Sequence, residues 1–148
     1  MKKKTILLLI ASVFVFFTYE STAQVSQMVG TWKTIDDETG DAKSYVKIFK
    51  ATNGMYYGKI TKLLQEPADK KCTECKGKYK NAPIVGMLII QKMKVDGDEL
   101  DDGTIMDPGN GKTYNCSIEL DGNDKLDVRG SLDSWGIAGR TQTWHRLK

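Results

Sequence analysis

KTYNCSIELDGNDKLDVRGSL, residues 112–132, decides the fold. Over 112–120, Tyr114, Cys116, Ile118 and Leu120 alternate with Thr113, Asn115, Ser117 and Glu119. Over 125–132, Leu126, Val128 and Leu132 share a face opposite Asp127, Arg129 and Ser131. Successive side chains of a strand point to opposite faces, so each segment has one apolar face for a core and one polar face for water. The intervening Asp121-Gly122-Asn123-Asp124 is turn chemistry. Together they predict an antiparallel hairpin.

The same punctuation recurs along the chain, at residues 36–40, Asn53-Gly54, Asp96-Gly97-Asp98, residues 107–111 and residues 136–139, each between short runs rich in Val, Ile, Thr and Tyr. This spacing predicts eight strands, 30–36, 43–51, 55–64, 84–93, 100–106, 112–120, 125–132 and 139–147, and no helix of ten or more residues beyond residue 24. Eight strands joined by short turns close most simply into an all-β, antiparallel up-and-down barrel, which leaves no exposed edge. A two-sheet sandwich is the rival. One connection breaks the rhythm: residues 65–83 form a long link, and long links in compact domains are functional or tied down.

Upstream of the strands, Lys2, Lys3 and Lys4 precede an apolar run from Ile6 to Phe17, and Ser21 and Ala23 are small residues at the spacing of a cleavage site. This reads as a secretory signal peptide over 1–23, cut before Gln24, with one domain over 24–148 exported to the periplasm or beyond. The apolar run is shorter than the ~20 residues of a membrane span. The whole chain has 22 Lys+Arg against 19 Asp+Glu; without the leader the balance is 19 against 18. Such near-neutrality gives no support to nucleic-acid binding, which needs a strongly basic face.

Six ordered stretches carry a resemblance. They are Gly30-Thr31-Trp32, YYGKI (56–60), PIVGMLII (83–90), DPGNGKTY (107–114), LDVRG (126–130) and GRTQTWHR (139–146). A G-x-W in the first strand with an arginine on the last is similar to the closing device of lipocalins and related calycin barrels, and the full series resembles the DUF2147 family of small exported bacterial proteins. The resemblance implies a lipocalin-like barrel and export to the envelope. It implies no reaction and no cofactor. Where many members of that family carry a polar segment, this chain has Cys72-Thr73-Glu74-Cys75.

That cysteine pair has three readings. Structural zinc wants four Cys or His ligands, and only Cys116 and His145 remain to join Cys72 and Cys75. A thioredoxin-like pair needs a helix after the first thiol, whereas Lys76-Gly77-Lys78-Tyr79-Lys80 has no apolar helical period. Lys70, Lys71, Lys76, Lys78 and Lys80 would nonetheless favour a thiolate, which keeps a reactive dithiol open. A disulfide between Cys72 and Cys75 in an oxidising compartment asks least of the chain. It leaves Cys116 as an odd, buried thiol.

On the last strand, Arg140, Gln142, Trp144 and Arg146 share one face. If Trp144 points inward, Arg140 and Gln142, with Tyr114, can take a carboxylate or other polar head, with an apolar tail among Val46, Ile48, Leu126 and Val128. The alternative is a filled lumen in which Arg140 or Arg146 stacks on Trp32, with Trp32, Trp144 and Arg146 assigned to closing the barrel bottom. Asp101, Asp102, Asp107 and Asn110 offer oxygen ligands, but their spacing is not that of a calcium loop, and turn chemistry accounts for them. Trp135 is read as a lid, a partner contact or a loop plug. The sequence holds no Ser-His-Asp or Cys-His arrangement, so no catalytic residue and no metal site is assigned. The expectation is a non-enzymatic barrel that binds a small apolar or amphipathic ligand or an envelope partner. Redox or metal work at Cys72 and Cys75, or a filled interaction module using the lysine-rich loop, stand as the alternatives.

Overall fold

The computed structural model describes residues 20–148, so the expected leader lies outside the described residues except for its last four positions. A short helix, α1 (Glu20–Gln27), precedes strands β1 (Gly30–Ile35), β2 (Ala42–Lys50), β3 (Tyr56–Leu63), β4 (Leu88–Asp96), β5 (Glu99–Asp107), β6 (Lys112–Asp121), β7 (Lys125–Ser131) and β8 (Gly139–Arg146). Each strand pairs antiparallel with the next, and β8 returns to β1 through Trp32 opposite Arg146 and Lys33 opposite His145. The sheet is therefore a closed up-and-down barrel, and the sandwich reading falls.

In the opening hairpin, Cys116, Ile118, Leu126 and Val128 are buried and Thr113, Asn115 and Glu119 are exposed, as period two requires. Two expectations fail. Leu132 does not join the core face: β7 ends at Ser131, and Leu132 is 75% exposed in the following loop. β4 starts at Leu88 rather than at residue 84, because Ile84–Met87 is a tight turn in which the Met87 N–H donates to the Ile84 carbonyl. Gly86, at φ 92°, takes the left-handed backbone that this turn needs. The apolar run 83–90 thus divides between a turn and a strand.

Bulges also break the alternation. Lys92 and Asp102 have φ of 58° and 56°, and the inward residues there are spaced by three, Ile90 and Met93 on β4 and Leu100 and Gly103 on β5. Such bulges bend and twist the strands, which helps an eight-stranded sheet to close. Large and small residues interlock at this level. A Cβ at Gly58 would lie 2.9 Å from the Ile90 Cδ1, and one at Gly103 would collide with the Met93 sulfur. Val46, Ile48, Ile90, Met93, Leu100, Leu126, Trp32 and Trp144 are at most 1% exposed, so no water-sized space touches them. This half of the lumen is solid.

Candidate functional site

The two ends of the barrel differ in chemistry. At the bottom, where α1 enters β1 and the chain leaves β8, Val25 and Met28 are fully buried beneath the barrel. The Trp32 indole N–H donates to the Met28 carbonyl at 2.8 Å, which ties α1 across the opening. The Arg146 guanidinium lies 4.2 Å from the Trp32 ring centroid, donates from Nε to the Asn123 carbonyl at 2.9 Å and from Nη2 to the Gln27 carbonyl at 2.7 Å. Arg146 thus stacks on Trp32 at the barrel bottom, and Trp144 points inward and is 1% exposed. Sequence reading missed the plug from α1. Its only signal is the pair Val25 and Met28, one helical turn apart, too short a pattern to stand out.

At the opposite end, the mouth, β8 begins with Arg140 opposite Gly130 and Gln142 opposite Val128. Both lie on the Trp144 face, so they point toward the lumen. The carboxylate that meets them belongs to Asp37 in the β1–β2 turn: the Gln142 Nε2 donates to its Oδ2 at 2.8 Å, and the Arg140 Nε lies 3.2 Å from the same oxygen. The Trp144 indole N–H reaches the Gln142 Oε1 at 3.4 Å, which links the polar rim to the solid core. Below the rim, the buried hydroxyls of Thr34 and Ser44 bond each other at 2.8 Å.

Tyr114 is half-buried on β6, with its Cβ beside the open face of Gly130. Its hydroxyl accepts a hydrogen bond from the Asn110 amide at 3.1 Å, so its polar end turns toward the β5–β6 turn and not to Arg140. The structure brings Arg140 and Gln142 together and sets Tyr114 at the neighbouring wall. Half-buried Ile105 and Gly130, with no side chain, complete this level. The residues expected to take an apolar tail divide: Val46, Ile48 and Leu126 are sealed in the solid half, and only Val128, opposite Gln142, adjoins the mouth.

Cys72 and Cys75 are joined in a disulfide. The loop that carries them does not cover the mouth. It leans on the outer wall, with the Cys75 sulfur 3.8 Å from the Met106 sulfur and the Cys72 sulfur 3.2 Å from the Pro108 carbonyl. Gly111, at φ 69°, lets the β5–β6 turn approach the Glu74 carbonyl where any Cβ would collide. Met106 and Ile89, which point outward beside the inward Ile105 and Ile90, are buried, so the long link roofs a small satellite core. Burial explains the loop: both cysteines are under 5% exposed.

Cys116 is a free thiol whose pKa burial pushes up to about 12, with the charge of Asp101 adding to the shift. The four oxygen residues weighed for calcium do not converge. Asp107 caps the Gly109 N–H at 2.8 Å and Asn110 that of Lys112 at 2.8 Å, while Asp102 is paired with Lys94 at 2.6 Å at the far end of β5. At ~3.3 Å rise per residue the two groups lie roughly 15–20 Å apart. Among the described residues no helix is long and apolar enough to cross a membrane.

A family model described as an uncharacterized protein conserved in bacteria, DUF2147, matches residues 30–146. Among solved structures, a Helicobacter pylori protein, HP1028, described as belonging to the lipocalin family, is similar at 26% identity and a TM-score of 0.71, over 81% of this chain and 82% of that one. No curated protein matches the sequence.

Proposed function

This chain belongs to the DUF2147 family, and we propose that it is an exported, non-enzymatic binding barrel that takes a small amphipathic carboxylate at its mouth. The observation that carries the reading is the carboxylate of Asp37 seated on Arg140 and Gln142. An internal group of the proposed chemistry already occupies these donors, and a ligand carboxylate would exchange with it. The lipocalin fold of the similar H. pylori protein is consistent with binding small ligands, and the disulfide with an oxidising compartment. The solid lower half limits the apolar part to a short chain against Tyr114, Ile105, Gly130 and Val128.

Hexanoate and octanoate titrated into the protein, with hexylamine and hexanol as controls, test this by NMR shift perturbation of the Arg140 and Gln142 side chains. Carboxylates alone are expected to bind. Arg140→Ala should weaken binding about tenfold, as loss of a charged hydrogen bond at an exposed rim, and Asp37→Asn should strengthen it. Equal response to amine and acid, or indifference to both substitutions, would overturn the reading.

A further inference from the structure

The β7–β8 loop, residues 132–138, holds three large apolar side chains in water: Leu132, Trp135 and Ile137 are 75%, 86% and 82% exposed. Their backbone is rigidly built. The Asp133 carboxylate accepts the N–H groups of Trp135 and Ile137 at 3.0 Å each and of Ala138 at 2.6 Å. Arg129, outward on β7, donates from Nε to the Gly136 carbonyl at 2.8 Å and from Nη2 to the Ile137 carbonyl at 3.3 Å. A loop that spends a carboxylate and a guanidinium to hold apolar groups in solvent has prepaid the ordering cost of an interface. Tryptophan is also the residue type most enriched at the energetic centres of interfaces.

The loop folds down over the outer face of β7 and does not stand up at the mouth. Beneath Trp135 runs a groove of about 110 Å³ lined by Glu99, Asp101, Asn115, Ser117 and Ser134. The wall beyond it is acidic. Asp96, Glu99 and Asp101 place carboxylate oxygens within 4.8 Å of one another. Burial and the charges of Asp101, Glu119, Asp96 and Asp98 raise the Glu99 pKa. Two neighbouring cations are engaged elsewhere: Lys94, opposite Asp101 on β4, pairs with Asp102, and Arg129 holds the loop carbonyls. Among the described residues, Asp96, Glu99, Asp101 and Glu119 have no ion pair within 4.0 Å.

We propose that this flank, with the rigid Leu132-Trp135-Ile137 loop as anchor, docks a partner protein through a segment that alternates apolar and basic residues. The apolar trio supplies buried area, and carboxylates with no close ion pair among the described residues select a Lys or Arg that also reaches the Trp135 ring. The same carboxylates repel an anionic bilayer.

An eight-residue peptide of alternating leucine and lysine, with its leucine–glutamate counterpart as control, tests the docking by calorimetry on the whole protein. Trp32 and Trp144 are buried, so acrylamide quenching of tryptophan emission reports Trp135. Expected are saturable binding of the lysine peptide with loss of quenching, and at least a tenfold weakening in Trp135→Ala and in the double variant Glu99→Gln/Asp101→Asn. Arg140→Ala, at the mouth, should leave it unchanged. The proposal is overturned by equal binding of the glutamate peptide, by no binding at millimolar lysine peptide, or by indifference to the double variant with the barrel's circular dichroism intact. Concentration-dependent self-association through Trp135 in sedimentation, or its insertion into phosphatidylglycerol vesicles, would assign the loop to another occupant and overturn it equally.

Discussion

Arg140 and Arg146 stand six residues apart on β8, face the same way and carry the same charge, yet one ends in a sealed floor and the other in an open rim. The Arg146 side chain is 23% exposed, stacked on Trp32, with carbonyls of Asn123 and Gln27 on its N–H groups. The Arg140 side chain is 68% exposed and meets one carboxylate, that of Asp37. Surroundings make the difference. A planar guanidinium with its donors matched and its face on an indole is a structural bond. One with most of its donors in water is available for exchange. The floor is fixed by its own contacts, and the rim is where the proposed exchange would occur.

Breaking the floor should have the largest effect. Trp32→Ala removes the indole on which α1 and Arg146 both depend, and a fully buried tryptophan costs roughly 3–5 kcal/mol on truncation. Urea unfolding should show that loss, with Val25 of α1 and Met28 in the turn after it losing amide protection first. Arg146→Ala comes next, at about 2–3 kcal/mol from a partly desolvated cation–π contact and two charged hydrogen bonds. Arg140→Ala in the same experiment should change stability by less than ~0.5 kcal/mol, as exposed ion pairs do. If the two arginines cost the same, the contrast between the ends is wrong.

The disulfide serves neither end. Cys72→Ser/Cys75→Ser should cost about 2 kcal/mol, the chain-entropy value for so small a ring, and should loosen the satellite core over Met106 and Ile89 while leaving carboxylate binding at the mouth unchanged. A change in ligand affinity on reduction would place the loop in the mouth after all. The smallest effect concerns Cys116, whose pKa of about 12 keeps it a protonated, buried thiol at neutral pH. Iodoacetamide at pH 8 should leave it unmodified in the folded protein and label it fully in urea. Labelling of the native state would reveal a lumen more open at mid-height than the packing around it implies.

How much of this was legible depended on the range of the interaction. The hairpin 112–132 declares itself because alternation is local, and six such signals place the strands to within a few residues. Alternation failed where the backbone made its own adjustment. The bulges at Lys92 and Asp102 changed the spacing of inward residues from two to three, and Ile84–Met87 looked apolar enough for a strand but is a turn. A disulfide was the simplest reading of the cysteine pair, with a reactive dithiol left open, and the structure shows the bond. Its seat on the outer wall was not, because Met106 and Gly111 are more than thirty residues away in sequence.

The site shows the same division. Arg140, Gln142 and Trp144 follow from one strand's parity, so they could be named together in advance. Asp37, their partner, lies in the first turn, more than one hundred residues earlier, and only closure of β8 against β1 brings it within 3.2 Å of Arg140. The sequence by itself determined that eight short amphipathic strands must curl round one core, since period-two patterning is a property of neighbouring residues. Tertiary structure decided which arginine seals the floor and which meets Asp37 at the exposed rim, that the lower lumen is solid, and that Trp135 lies against an acidic flank. Those outcomes depend on which distant side chains meet when the barrel closes, and hydropathy along the chain carries no record of such meetings.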